Sequence, residues 1–318
     1  MGINADKPKR WKGDIAESVD YYNAWFVRFA PRAYRESREK TTGQVESALR
    51  WTDNLKAVEP SVLREHPEVL PMLRMATAPP IAQDRLVGLA KVPKNLVSSM
   101  EGKARIPPHM DEQGVEEGLA AIAAIITRLA DPDIFTWLHS GQKPGKQDVY
   151  RAATIVADRL CGSIANPIIR NAQEKRQLEA IGKWLTDRGY EHVASADFKL
   201  RGARKGTFTF RLNIPVNQAA GNTVQVPVDA AIMPMKASRA GLPFLVEAKS
   251  AGDFTNVNKR RKEEATKVKQ LRQTYGAKIR YVLFLCGYFD SGYLGYEAAE
   301  GIDWVWEHRL DDLRGCGL

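Results

Sequence analysis

The chain has 318 residues, of which 47 are Lys or Arg and 38 are Asp or Glu, so its formal net charge is +9 at neutral pH. The composition, 44% hydrophobic and 27% charged, is typical of a globular protein and excludes a largely disordered, collagen-like or disulfide-stapled chain. No apolar run approaches the ~20 residues of a membrane span, and the N-terminus lacks the apolar stretch of a secretory signal. We therefore expect a cytoplasmic protein without a membrane partner.

The first half of the sequence has the hydrophobic periodicity of helices. Three segments share an apolar stripe and are predicted as helices: 14–30, 112–130 and 147–160. Pro31 is expected to end or kink the first helix, and Gly162 lies just beyond the third. The pattern predicts a helical N-terminal region over residues 1–161.

The second half alternates between helix and strand patterns. A helix over residues 168–188 comes first, and a charged helix over residues 258–275 follows later. Period-two or continuous apolar runs predict strands over five segments: 206–216, 223–233, 243–246, 279–286 and 302–306. This order predicts an α/β domain over residues 162–318, with helices on the faces of a mixed β-sheet.

Positive charge is concentrated in this second half. Residues 1–160 hold 23 basic and 21 acidic residues, whereas residues 170–280 hold 22 basic and only 10 acidic ones. Such a local excess is typical of a protein that binds a polyanion, and nucleic acid is favoured over a membrane surface. Charge alone leaves open the alternative of a solvated basic face that contributes only solubility.

Two carboxylates and one ammonium lie in neighbouring predicted strands. Asp229 belongs to the strand over residues 223–233, and Glu247 and Lys249 follow 18 and 20 residues later. The i, i+2 spacing of Glu247 and Lys249 places both side chains on one face of a strand. If the two strands pair, a carboxylate from each converges beside the ammonium of Lys249.

This arrangement is suited to phosphodiester hydrolysis. Two carboxylates can hold a hard cation such as Mg²⁺, which stabilises charge on a phosphoryl group and lowers the pKa of a bound water. Lys249 could then position the attacking water, help to deprotonate it, or stabilise the pentavalent phosphate. A surface salt bridge at strand ends is the alternative, but charges within strongly apolar strands are costly unless they are paired or used.

The preceding helix contributes a further candidate ligand. Glu174 lies four residues before Leu178, so we expect it in the middle of the buried stripe that Leu178, Ile181 and Leu185 define. A metal site would give this carboxylate a partner. An exposed first turn, where the helix dipole favours an acidic residue, is an equally weighted alternative.

Two basic segments are candidate phosphate contacts. The first is loop-like because of its glycines, and the second begins the charged helix, where consecutive cations oppose the helix dipole unless an anion binds there. Phosphate contact is favoured over base contact for both, although the asparagines could instead cap the helix or contact a base edge. The candidates are Lys199, Arg201, Arg204 and Lys205 in the first segment, and Asn256, Asn258, Lys259, Arg260, Arg261 and Lys262 in the second.

Asp229 and Glu247-Ala248-Lys249, after a Glu-bearing helix, resemble the motif of the PD-(D/E)XK nuclease superfamily. The wider sequence resembles one of its families, the XamI-like type II restriction endonucleases. The expected Pro-Asp pair is here Pro227-Val228-Asp229, which weakens the motif but not the chemistry, because the proline is not a ligand. The segments that carry the family resemblance are Asn4–Pro8 with Trp11-Lys12, Phe29–Pro31, Leu70–Pro80 and Asn258–Glu264.

The resemblance implies a PD-(D/E)XK mixed sheet flanked by helices and a Mg²⁺-dependent endonuclease that cuts double-stranded DNA at a short palindrome. The namesake family is associated with the site GTCGAC. The resemblance also implies the cytoplasm of a bacterium or archaeon and a cognate DNA methyltransferase that acts on the same site. Two-fold symmetry of a palindrome predicts a homodimer. A nonspecific, repair or phage-defence nuclease of the same fold, and an inactive DNA-binding protein, are the alternatives.

Overall fold

The computed structural model of the protein describes residues 2–217, 222–236, 241–255 and 261–318. The described part contains a helical N-terminal region followed by a six-stranded mixed sheet with helices against it. The predicted α/β fold is therefore confirmed. Within these ranges every helix is too short or too polar to cross a lipid bilayer.

The chain divides into two compact units that differ from the two halves of the sequence. One unit is Ala30–Ile168, and the other combines Met1–Phe29 with Ile169–Leu318. Our sequence-based division after residue 161 lies near the second boundary, whereas the first 29 residues belong to the same compact unit as the sheet. Those residues pack with the sheet: the Asn4 side-chain amide donates to the Trp304 carbonyl over 2.9 Å, and the Trp11 ring meets the Trp304 ring edge-on. Helical periodicity alone cannot reveal such a long-range partner.

Helices make up the first half of the chain, as predicted. The Ala30–Ile168 unit has a leucine-rich core that includes Leu49, Leu73, Leu96 and Leu119. Asp111 caps one of its helices, because its carboxylate accepts from the Gly114 N–H over 2.7 Å. The helices are α1 (Pro8–Trp51), α2 (Pro60–Glu65), α3 (Leu70–Met75), α4 (Gln83–Ala90), α5 (Lys94–Lys103), α6 (Glu112–Leu129), α7 (Trp137–Ser140) and α8 (Lys146–Thr186).

Two helices are longer than the sequence predicts. Helix α1 continues through Pro31, and α8 continues through both Gly162 and Pro167, so the first helix does not end at Pro31 and the predicted helix end before Gly162 is wrong. An internal proline costs a helix about 3 kcal/mol and a glycine about 1 kcal/mol. Buried residues on both sides of these positions offset that cost, and side-chain packing of this kind overrides local propensity.

The sheet has the strand order β1-β2-β3-β4-β5-β6. Strand β1 is parallel to β2, β3 is antiparallel to both of its neighbours β2 and β4, and β4, β5 and β6 are parallel. Helix α9 (Arg261–Tyr275) connects β4 to β5, and helix α10 (Ser291–Ala299) connects β5 to β6. The strands are β1 (Glu191–His192), β2 (Thr207–Asn217), β3 (Thr223–Met233), β4 (Phe244–Ala251), β5 (Arg280–Gly287) and β6 (Asp303–Trp306).

Each face of the sheet has its own hydrophobic core. Val268 and Leu271 of α9 pack on one face with Leu245 of β4. Leu178 and Ile181 of α8 pack on the other face, in the same core as Val246 and Phe284. Strands β3 and β4 are thus enclosed between α8 and α9, so a charged side chain in either strand lies in a largely desolvated setting.

Candidate active site

Asp229 and Glu247 lie at the point where β3 and β4 begin to separate. The last paired residues of the two strands are Ala230 and Val246, and Asp229 and Glu247 come next along each strand. The Asp229 Oδ2 atom accepts a hydrogen bond of 2.7 Å from the Ala248 N–H. The predicted pairing of the two strands is therefore confirmed, and it brings the two carboxylates to one end of the pair.

The strand geometry changes at Asp229. In the β2–β3 register Phe210 pairs with Ala230 and Leu212 with Val228, whereas Arg211 and Asp229 between them leave the ladder. Arg211 has a φ of 54°, which is rare for a residue with a side chain. Across this break the strands exchange faces, so that Val228 and Ala230 pack into different cores. Local strain at such a position is often associated with a functional site.

Lys249 and a second lysine connect Glu247 to helix α9 through a chain of charges. The Lys249 Nζ atom lies 3.1 Å from Glu247 Oε1 and 3.0 Å from Glu264 Oε1. The Lys267 Nζ atom lies 2.7 Å from Glu247 Oε2 and donates to the Pro227 carbonyl over 2.8 Å. The structure thus brings together the three predicted residues and adds Glu264 and Lys267, which the sequence analysis missed.

Burial and like charges control the ionisation of this cluster. Burial, followed by the negative charge of Glu247, raises the pKa of Asp229 to about 6, although the Ala248 hydrogen bond opposes the shift. Burial lowers the pKa of Lys249, but Glu247 and Glu264 outweigh that effect, so the net shift is upward. Lys249 is consequently a fixed cation at neutral pH, which favours charge stabilisation over proton abstraction among its predicted roles.

Asp229→Asn is expected to stabilise the protein when no metal is bound. Because the folded-state pKa is raised from 3.8 to about 6, the free energy of unfolding falls as the pH rises through that window. The neutral amide removes this loss, so we expect a gain of about 1–3 kcal/mol above pH 6 and none below pH 4. Urea unfolding of wild type and Asp229→Asn in EDTA across this pH range measures the gain in the free energy of unfolding. The exposed Asp197→Asn serves as control, and an Asp229→Asn protein no more stable than wild type at pH 7 would contradict the cause given for the shift.

The donor set fits a hard divalent cation. Within the described residues no three His, Cys, Asp or Glu side chains form a preassembled metal cluster. Mg²⁺ commonly takes only one or two carboxylates, together with water and substrate phosphates. Asp229 makes no ion pair with a described residue, and Asp229, Glu247 and Glu264 together outnumber Lys249 and Lys267 by one charge. A cation beside Asp229 and Glu247 would offset that excess and the repulsion that raises the Asp229 pKa.

Glu174 is not in the middle of the buried stripe of α8, and that prediction is wrong. Its side chain is 36% exposed and pairs with Arg211 at 3.0 Å, whereas Gln173 and Gln177 are buried. The stripe rotates by one residue because the polar Gln177 has partners inside. Glu174 still acts electrostatically on Asp229, since its charge helps to raise the Asp229 pKa. Its role as a metal ligand stays a prediction.

Gln177 is a second residue that the sequence analysis missed. Its amide nitrogen donates to the Phe284 carbonyl over 3.3 Å, and its Oε1 accepts from the Ser250 hydroxyl over 3.0 Å. This side chain thereby joins α8 to β4, one residue beyond Lys249, and to β5. The i, i+4 spacing of Gln173 and Gln177 on an otherwise apolar stripe was the available signal.

The structure describes some of the predicted DNA-contacting residues and not others. Lys199, Arg201, Arg204 and Lys205 are exposed in the loop before β2, with Arg204 paired to Glu191 and Arg201 lying over the Tyr275 ring. Lys262 is exposed in the first turn of α9. Asn256, Asn258, Lys259 and Arg260 lie outside the described residues, as does the side chain of Arg261.

A family model, XamI restriction endonuclease, matches residues 53–306, which include Asp229, Glu247, Lys249, Glu264 and Lys267. The chain belongs to the XamI restriction endonuclease family. It is also 52% identical over 316 residues to "Type II restriction enzyme SalI" of Streptomyces albus G, an alignment that covers 99% of each chain. These matches confirm the predicted family and the predicted activity class, a type II restriction endonuclease.

Among solved structures, the protein VC1899 from Vibrio cholerae aligns with 80% of this chain at 10% identity. This chain spans about 55% of that protein, and the TM-score of 0.29 is too low to support a comparison of folds. The XamI family assignment therefore depends on sequence similarity, and the structure contributes the arrangement of the site.

Proposed function

We propose that this chain is a Mg²⁺-dependent type II restriction endonuclease that hydrolyses double-stranded DNA within a short palindrome. The observation that carries the proposal is the convergence of Asp229, Glu247 and Lys249 where β3 and β4 separate. GTCGAC is the proposed site, on the basis of the family resemblance. The setting would be the cytoplasm of a bacterium or archaeon, with a DNA methyltransferase protecting the same site.

Asp229 and Glu247 would hold the Mg²⁺ through their carboxylates. Bound there, the cation would supply stabilisation of the negative charge that develops on the phosphoryl oxygens. Lys249 contributes a protonated ammonium whose position two carboxylates fix. It donates hydrogen bonds to a phosphate oxygen or to the attacking water. Lys267 holds the second oxygen of Glu247, which fixes the orientation of that carboxylate.

The basic segments would bind the phosphate backbone. Lys199, Arg201, Lys205 and Lys262 are exposed, and the region between residues 170 and 280 has the excess positive charge that binding a polyanion requires. These contacts supply affinity that does not depend on base sequence. Specificity would then depend on other groups that reach the base edges.

Lys262→Ala is expected to weaken binding to every DNA duplex to a similar extent. Each phosphate contact contributes about 0.9 to the slope of log affinity against log salt concentration, so the slope should become shallower by about that amount. Filter binding in Ca²⁺ at several salt concentrations measures it, and the exposed Lys278→Ala is the matched control. A loss confined to one DNA sequence would identify Lys262 as a base contact, and an unchanged slope would exclude it from the interface.

The working form is expected to be a homodimer. One chain offers one site of Asp229, Glu247 and Lys249, whereas a palindrome presents two scissile phosphates related by a two-fold axis. In α1 the Tyr21 and Phe26 side chains are exposed, and they are candidates for an apolar contact, whereas Tyr22 belongs to the core. Light scattering of the free protein and of its complex with a short duplex tests this. A monomer in both states that still cuts both strands together would refute the dimer.

Digestion of plasmid DNA with Mg²⁺ tests the whole proposal. Discrete fragments that disappear when the sites are methylated are the expected result, and sequencing of the fragment ends identifies the site. A smear would indicate a nonspecific, repair or phage-defence nuclease, and intact plasmid that is nevertheless bound would indicate an inactive DNA-binding protein. Fragments ending outside GTCGAC would reject only the proposed sequence.

A further inference from the structure

Helix α9 inserts one carboxylate next to the ammonium of Lys249. Glu264 is 2% exposed, and its Oε1 atom lies 3.0 Å from Lys249 Nζ. Neither oxygen of Glu264 has a hydrogen-bond partner among the described residues, so its contact with Lys249 is an ion pair. The only described cation that offsets this buried charge is therefore Lys249, so the two side chains depend on each other.

A buried ion pair such as Lys249–Glu264 contributes little to stability. Desolvation of two charges commonly costs as much as their attraction returns, and apolar residues of similar volume often stabilise a protein at least as well. Neighbouring positions on the same face of α9 are indeed apolar, with Val268 and Leu271 in the core. What a buried ion pair does provide is a fixed position for each charged group.

The position that results is useful for the proposed reaction. An ammonium group has three N–H donors. Glu247 and Glu264 approach the Lys249 ammonium from two elements, β4 and α9, and hold it by ion pairs of 3.1 Å and 3.0 Å. Lys267 engages the other oxygen of Glu247, so Glu247 does not depend on Lys249 alone for charge balance. The ammonium is thus held in place by charge and keeps an N–H donor for a phosphate oxygen or water.

We propose that Glu264 is a positioning residue that holds the Lys249 ammonium in line for the scissile phosphate. It contacts neither the DNA nor the metal in this role, and it acts through Lys249. The inference rests on the proposed function of Lys249. Without Glu264 the ammonium would be held from one side only, by Glu247, and would move toward that carboxylate.

The kinetic test compares Glu264→Gln with Glu263→Gln, its exposed neighbour on the same helix. Glutamine keeps the size of the side chain but removes the charge. We expect single-turnover cleavage with Mg²⁺ to fall about 100-fold in Glu264→Gln, because small displacements of a reacting group have effects of this size. The dissociation constant for duplex DNA in Ca²⁺ should stay within about twofold of wild type, since positioning acts mainly on the transition state. Glu263→Gln should match wild type in both measurements.

Two further measurements distinguish a positioning role of Glu264 from a merely structural one: recovery of the rate by a conservative variant, and energetic coupling to Lys249 in unfolding. Glu264→Asp keeps the charge on a shorter side chain, so it should recover about tenfold of the lost rate. In EDTA, Lys249→Met and Glu264→Gln should each lower the midpoint of urea unfolding. The double variant should lose much less than the sum of the two, because the side chains form one pair. This second measurement requires neither metal nor cleavage.

Three results would overturn the inference. The first is that folded Glu264→Gln cleaves DNA at the wild-type rate. The second is that Glu264→Gln loses cleavage rate and DNA affinity in equal proportion. The third is that the effects of Lys249→Met and Glu264→Gln on the urea midpoint simply add in the double variant. If Glu264→Gln does not fold, Glu264→Asp decides the kinetic question by the same comparison of rate and affinity. An inactive wild-type protein in the same assay would instead reject the proposed function, while the unfolding cycle would still test the pair.

Discussion

Asp229→Asn and Glu247→Gln are each expected to reduce DNA cleavage by about a thousandfold or more. Each change removes an anionic oxygen from one of the two carboxylates that we propose hold the Mg²⁺. Single-turnover cleavage of a plasmid with Mg²⁺ measures the loss. Asp197→Asn and Glu263→Gln are exposed, isosteric controls that should cleave at the wild-type rate.

The two variants should differ in stability even though both are inactive. Asp229→Asn removes a carboxylate whose pKa is raised by burial and by Glu247, so the metal-free protein should become more stable. Glu247→Gln takes away the partner of both Lys249 and Lys267, so it should become less stable. Opposite shifts of the urea midpoint combined with the same loss of cleavage would exclude misfolding as the common cause.

Metal binding provides a measurement that does not depend on cleavage. Titration calorimetry with Mn²⁺ should detect weaker binding in both variants than in the Asp197→Asn control. Full cleavage by either folded variant would reject the assignment of that carboxylate. Lost cleavage with unchanged metal binding would show instead that the cation is held elsewhere.

The strand pattern was predictable where the strands are apolar. The prediction of a strand over residues 223–233 coincides with β3, because apolar residues recur with period two in its sequence from Val224 to Ile232. Strand β4 extends to Ala251, whereas its predicted segment ended at Val246, because the charged residues Glu247 and Lys249 interrupt the apolar run. The apolar run therefore indicated where β4 begins but not how far it extends past the candidate site residues.

The contribution of α9 was present in the sequence but was obscured by charge. Val268 and Leu271 define the buried stripe of this helix, and Glu264 and Lys267 fall on the same stripe at i−4 spacing. Their neighbours in a strongly basic segment suggested a solvated helix that contacts phosphate. The sequence signal for Glu264 was its position four residues before a buried residue, on the helix that follows the candidate strand.

Other features could not be predicted from local patterns. The break in the β2–β3 ladder at Arg211 depends on how two strands pair, and neither strand shows it alone. The packing of the first 29 residues against the sheet joins positions about 300 residues apart. In α8 it is Gln177, and not Glu174, that faces the sheet, because carbonyl groups of β4 and β5 accept hydrogen bonds from its side chain. A helical projection of α8 alone cannot show these partners.

Lys249→Met is expected to abolish cleavage, again by about a thousandfold, while DNA binding in Ca²⁺ is largely retained. In the proposed mechanism the ammonium acts on charge that develops in the transition state, so its loss should appear in the rate of the chemical step and hardly in affinity. Single-turnover cleavage and filter binding, measured on the same preparation, separate the two. Losses in equal proportion would make Lys249 a binding residue and would contradict the mechanism.

A complication for Lys249→Met is that it leaves the buried Glu264 without a cation, and breaking a buried pair in this way costs about 3 kcal/mol of stability. Poor folding could then be mistaken for lost catalysis. The double variant Lys249→Met with Glu264→Gln removes both charges, so it should regain most of the stability. We expect it to remain as inactive as Lys249→Met, because nothing replaces the ammonium at the phosphate. A stable double variant that cleaves DNA would show that Lys249 is not required, and the role of this lysine in catalysis would have to be abandoned.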